Sequence, residues 1–200
     1  VADYITAAEF KTRVNITHSA EDTRIAEHVT AASRMVDTYC GRRFDADGVA
    51  TARVFHPDDA YCCVIDDALE ITAVATDTAD DGSYSTTWAS TDYEEYPLNG
   101  IGINRQGGWP TTEIVAIESR TFPQHRRAAV KVTAKWGWAA VPGDVKEATY
   151  LLAHRLYYER DVPSGVVPGS AEYGGTGMRD ARSAWRLLDP YRRTAPEIGG

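Results

Sequence analysis

Two acidic pairs, Asp58-Asp59 and Asp66-Asp67, are the first residues in this chain that could do chemistry. Converging carboxylates can hold a divalent cation or share a proton as a general acid–base pair. Adjacent residues of a strand face opposite ways, however, so neither pair converges without a special turn. They read as solvated loop acids. The stretch Asp45-Ala-Asp-Gly48 opens like a calcium loop, but its twelfth position is His56 where a bidentate glutamate belongs. It reads as a turn. Gly100–Gly108 holds a G-x-G without the third-glycine spacing or the following helix of a dinucleotide-binding loop, so a hairpin connection is expected. None of His18, His28, His56, His125 and His154 has a helical i, i+4 partner, or a cysteine or glutamate at metal-ligand spacing. No nucleophile elbow or P-loop is present. Taken together these gaps predict no catalytic residue, no metal and no cofactor. The competing class is a metal-dependent hydrolase working through the acidic β region.

Trp136 and Trp138 pose a different question, because they flank one glycine just before a break at Val141-Pro-Gly-Asp144. In "AAVKVTAKWGW" the residues Val130, Val132, Ala134, Trp136 and Trp138 fall on one strand face, and Lys131, Thr133 and Lys135 on the other. Large aromatics at the end of a core-facing strand are expected to be packing instead of a ligand platform. The helix that follows, from an Asp144 cap to Arg160, carries Val145, Ala148, Leu152 and Leu156 on one stripe. Trp136, Trp138, Leu152 and Leu156 are therefore the expected sheet–helix packing.

The remaining elements follow from periodicity and caps. Thr6 with Glu9 three residues later is a capping box that starts a short helix near Ala7. Ile25, Val29, Ala32, Val36 and Tyr39 make an apolar stripe over four turns, with Ser19 or Asp22 as cap and Gly41 as terminator. From about Ala50 to Trp138, "YCCVI", "LEITAVAT", "EIVAIES" and "AAVKVTAKWGW" read as strands separated by turn clusters. A Gly/Pro/Ser-rich run, "VPSGVVPGSAEYGGTG", then leads to a short helix with Trp185, Leu187 and Leu188, stopped by Pro190. The fold class is α+β. Residues 1–49 and 139–188 form a small helical bundle core, 50–138 an inserted antiparallel β lobe, and 189–200 a C-terminal tail.

Charge narrows the partners. The net charge is −8, but residues 1–100 carry 19 acids and 7 bases, while residues 101–200 carry 10 acids and 14 bases. The halves therefore stand at −12 and +4, a polarity suited to sitting between unlike neighbours or stacking head to tail. A general nucleic-acid binder would need a dominant basic face. No apolar run reaches the length of a membrane span, so no membrane partner is expected. Cys40, Cys62 and Cys63 are too few and too awkwardly spaced for a disulfide framework and read as reduced thiols. In the last segment, Arg179, Arg182, Arg186, Arg192 and Arg193 stand beside the apolar anchors Trp185, Leu187, Leu188 and Tyr191.

The element order, with "KWGWAAVPGDVKEATYLLAHRLYYERD" and the closing "LLDPYRR", resembles the head–tail connector (adaptor) proteins of long-tailed bacteriophages, particularly the longer versions from phages of actinobacteria. "YITAAEFKTRV", "AASRMVDTYCGRRF", "DYEEYPLN" and "VPSGVVPG" carry the likeness further, and it covers nearly the whole chain. The resemblance implies a twelve-subunit homo-oligomeric ring under the capsid portal, located in the virion neck and made in the bacterial host cytoplasm. The ring would extend the channel for genomic double-stranded DNA without binding it specifically. It would also present a surface to a downstream head-closure or stopper protein. A tail-side terminator or stopper is the alternative within that role. The portal-binding candidates are Arg179, Arg182, Arg186, Asp189, Pro190, Tyr191, Arg192 and Arg193, with the residues from Asp189 onward expected to reach out from the fold.

Overall fold

The computed structural model describes residues 2–102, 105–117, 119–124, 128–159 and 177–193, the side chains of 177–181 excepted. Two compact units emerge: Val1–Phe44 with Val141–Gly200, and Asp45–Ala140. The chain thus leaves the helical unit for the sheet at Asp45 and returns after Ala140.

In the helical unit, α1 spans Ala7–Arg13 and starts at the expected capping box. The Glu9 N–H donates to the Thr6 hydroxyl at 3.1 Å, and the Thr6 N–H donates to the Glu9 carboxylate at 2.6 Å. Two of the N–H groups that a helix start leaves orphaned are thereby satisfied. Helix α2 spans Asp22–Cys40 and buries Ile25, Val29, Ala32, Ser33, Val36 and Cys40. Neither Ser19 nor Asp22 caps it: Glu21 takes that place without a side-chain bond, and Asp22 instead pairs with Lys11. Tyr39 is only half-buried, since the inward position at the end of the stripe belongs to Cys40.

Helix α3 spans Gly143–Glu159 and buries Val145, Ala148, Thr149, Leu152, Ala153 and Tyr157. Leu156 is half-buried and Tyr157 takes the inward place expected of it. Each four-residue step overshoots a full turn by about 40°, so two such steps carry Leu156 well off the line of Ala148. Asp144 lies inside the first turn, and Arg160 lies outside the described residues. Helix α4 spans Gly177–Leu188 and runs into a short 3-10 turn at Asp189–Tyr191. α3 packs on both α2 and α4, and α1 packs on α2. The Gly/Pro-rich run before α4 lies outside the described residues up to Thr176, as does His125.

The second unit is an antiparallel sheet of six strands: β1 (Thr51–Phe55), β2 (Cys62–Thr76), β3 (Thr86–Trp88), β4 (Tyr93–Tyr96), β5 (Thr111–Ala116) and β6 (Val130–Trp136). The order is β1-β6-β2-β5-β4, with β3 also paired to β2. "YCCVI" and "LEITAVAT", expected as separate strands, join into β2, which pairs β5 along its first half and β6 along its second. β2 lies between them with one on each edge, and its register shifts between Val64 and Ala68, Ala68 and Glu70, and Ile71 and Ala73, irregularities of the kind that bend and twist a long strand. β6 alternates as expected: Val130, Val132, Ala134 and Trp136 are buried, and Lys131, Thr133 and Lys135 half-buried. They join Cys63, Ile65, Val74, Ile114 and Phe122 in one apolar cluster. Trp88 stacks on Phe122 with ring centroids 4.6 Å apart. Burial pushes the thiols of Cys40 and Cys63 up to about 12, so both stay protonated near neutral pH.

Candidate docking surfaces

The C-terminal segment is where the sequence placed its binding candidates, and the structure divides them. Ala184, Leu188 and Tyr191 recur at spacings of four and three and are all buried. Tyr191 is 1% exposed and meets Phe44 edge-on with centroids 5.7 Å apart. Phe44 meets Tyr4 in the same way at 5.7 Å, and its N–H donates to the Tyr4 hydroxyl at 3.0 Å. Three aromatics thus stack edge to face, the arrangement their ring quadrupoles favour. The Arg193 N–H donates to the Cys40 carbonyl at 2.8 Å, filling an acceptor that the end of α2 would otherwise leave open. Gly41, at φ +62, ends that helix, and a Cβ there would touch the Arg193 side chain at 3.6 Å.

Tyr39 is the second clasp. Its hydroxyl donates to Asp189 at 2.5 Å, its ring lies 4.5 Å from Trp185, and the Arg192 guanidinium sits 5.0 Å above it. The bond to Asp189 holds the phenol above its ordinary pKa, because losing that proton would set two negative charges together. The expectation that the chain reaches outward from Asp189 is therefore corrected through Arg193. Pro190 is half-buried, Asp189 is tied to Tyr39, and Tyr191 is a core residue. The reason is spacing: Tyr191 lies three residues beyond Leu188 and continues the inward stripe through the 3-10 turn. Residues 194–200 lie outside the described residues.

What the segment offers outward is cationic. Arg182, Arg186 and Arg192 are exposed and Arg193 is half-buried; the Arg179 side chain lies outside the described residues. Arg182 and Arg186 are four residues apart and so share one side of α4. This is a charge surface with no reactive group in it.

The tryptophans are packing, and within the β unit each has its own partners. The strand ends at Trp136, whose Nε1 donates to the Thr51 carbonyl at 2.9 Å. The Arg53 guanidinium lies 4.5 Å over its ring, and Phe55 is 5.6 Å away. Trp138 lies beyond the strand, donates from Nε1 to Asp67 at 2.9 Å, and meets Trp109 at 5.0 Å. Both indoles are fastened inside the β unit. Between them Gly137 adopts φ +113, and a Cβ on it would fall 1.9 Å from the Asp45 carbonyl oxygen. Only glycine fits that close approach.

Nor do the acidic pairs converge. Asp66 pairs with Arg53 at 2.8 Å, while Asp67 turns inward to Trp138. Asp58 accepts the Val64 N–H at 2.8 Å and Asp59 the Tyr61 and Cys62 N–H groups at 2.7 Å, so all four acids organise backbone or bind neighbours. Asp47 of the would-be calcium loop pairs with Arg53 at 3.2 Å.

The family described as head completion protein matches residues 3–193 of this chain. Among solved structures, a chain from the neck of an empty GTA particle, computed with C6 symmetry, is similar in fold. It has a TM-score of 0.55 and 20% identity, covering 100% of this chain and 96% of that one. A chain from the neck of a native GTA particle, computed with C12 symmetry, has a TM-score of 0.54 and 16% identity over 100% and 96%. A third, from the virion of a native gene transfer agent particle, has a TM-score of 0.53 and 18% identity over 98% and 93%. No curated protein matches the chain significantly.

Proposed function

This chain belongs to the head completion protein family, and from that membership we propose that it forms a ring beneath the capsid portal, joining head to tail. It is a structural protein and not an enzyme, which sets aside the hydrolase reading. The observation that carries the proposal is the family match over nearly the full length, from residue 3 to residue 193. The fold likeness to chains in GTA necks computed with C6 and C12 symmetry supports a ring of twelve. In that ring the genomic duplex passes through the lumen, the portal lies on one side and a head-closure or stopper protein on the other. The exposed cations Arg182, Arg186 and Arg192 are the docking face for the portal, meeting acidic groups there. Tyr191 anchors the base of that face from within, and the exposed Asp189 ties it to Tyr39.

The test is to add purified protein to portal-bearing heads and image them. A twelve-fold ring at the portal vertex is expected. The Arg182→Glu/Arg186→Glu variant should fold normally and fail to attach. Heads that bind no ring would overturn the functional reading, and a variant that attaches like its parent would move the portal contact elsewhere.

A further inference from the structure

The helical unit carries a groove of about 460 Å³ between α1 and α3, floored by Ile5, Ala8, Phe10 and Tyr150 and rimmed by Arg13 and Lys146. That volume is in the range of sites that seat several apolar groups. Its carboxylate, Glu9, is held by the Thr6 capping box. Arg13 is shared between Glu147, at 2.7 Å, and the Tyr150 ring, at 3.9 Å. Lys146 is exposed, makes no ion pair within 4.0 Å among the described residues, and, after the two Thr6 bonds, helps to hold the Glu9 carboxyl low. From Tyr150 at the groove, α3 carries a row of rings one turn apart. Tyr150 and His154 lie 5.9 Å apart, His154 and Tyr158 4.5 Å, and Tyr158 is 47% exposed. Tyrosine and arginine on an apolar floor are the residue types that dominate protein interfaces.

The β unit carries the converse surface. Just after β4, Leu98 and Ile101 are 50% and 48% exposed. They stand on a built turn: the Gly100 N–H donates to the Pro97 carbonyl at 3.0 Å, and the Trp109 N–H to the Gly100 carbonyl at 3.0 Å. Asn99 and Gly100, both at φ +60, reverse the chain there. On the strand leading in, Glu94 and Glu95 are exposed. The result is an apolar tip with an acidic stem, set against an apolar groove with a cationic rim.

We propose that the groove of one copy receives the Leu98–Ile101 turn of a second copy, with Glu94 and Glu95, which leave opposite faces of β4, meeting the cations on opposite rims, Lys146 on α3 and Arg13 on α1. Groove and tip are different surfaces, so the contact is heterologous and passes from copy to copy, as ring closure requires. It rests on the ring reading above only for that closure.

Sedimentation of the full chain at millimolar concentration tests the pairing. The parent should self-associate, and Leu98→Glu and Lys146→Glu should each weaken association by about tenfold or more. Both positions are exposed, and unchanged melting would show that the fold is kept. Mixing the two variants should yield dimers and nothing larger, because only one intact groove–tip pair survives. A second check is charge reversal: Glu94→Lys/Glu95→Lys should weaken association, and Lys146→Glu in the same chain should restore it. A parent that stays monomeric, or variants that associate like the parent, would overturn the inference. Attachment to portal-bearing heads, scored separately, bears on the functional reading alone.

Discussion

Replacing Tyr191 with alanine should destabilise the helical unit by about 3–5 kcal/mol, the usual cost of deleting a buried aromatic side chain. The ring is 1% exposed and closes the edge-to-face row with Phe44 and Tyr4, so its removal leaves a cavity that these neighbours cannot fill without losing their own contacts. The hydroxyl is a small part of this. Its bond to Asp144 is long at 3.4 Å, so Tyr191→Phe should cost less than about 1 kcal/mol. For a chain of this size, each kcal/mol moves the melting point by roughly 2–4 °C, so the alanine variant should melt about 6–20 °C lower. Calorimetry on parent, Tyr191→Phe and Tyr191→Ala separates ring packing from the hydroxyl. If Tyr191→Ala melts within about 1 °C of the parent, the segment from Asp189 to Arg193 does not close the unit and the reasoning fails.

Trp136→Ala should cost the β unit about 3–5 kcal/mol, read from its denaturant midpoint; a variant that keeps its stability while losing a partner would show that the indole is a binding group. Gly137→Ala should cost at least about 2 kcal/mol, since its Cβ would collide with the Asp45 carbonyl at 1.9 Å; a normal yield of protein with parental melting would contradict this. Thr6→Ala should cost about 1 kcal/mol through the lost α1 cap, checked by its melting point. The Thr6 bonds hold the Glu9 carboxyl below its ordinary pKa, so their contribution is present above the usual carboxylate range and fades as pH falls through the folded value. The difference between parent and Thr6→Ala should therefore shrink in acid.

The helix boundaries at Ala7 and Cys40 were legible because caps and terminators act within a few residues: Thr6 with Glu9, and Gly41; the break at Val141–Asp144 was legible too, but α3 starts at Gly143, with the expected cap Asp144 already inside its first turn. The alternation of β6 was legible for the same reason, since period two is a local property of the backbone. The resemblance, too, lay in local motifs such as W-G-W and "LLDPYRR", and the family match runs through both. Strand partners were another matter. Whether Cys62–Thr76 is one strand or two depends on β5 and β6, which are remote in sequence and claim its two halves. The fate of Tyr191 likewise hung on Phe44, and that of Trp138 on Asp67 and Trp109. A tyrosine between a proline and two arginines reads identically as a surface anchor or as a core residue until its partner is in place. Burial is set by what the distant chain brings to the same spot, and no local pattern encodes that.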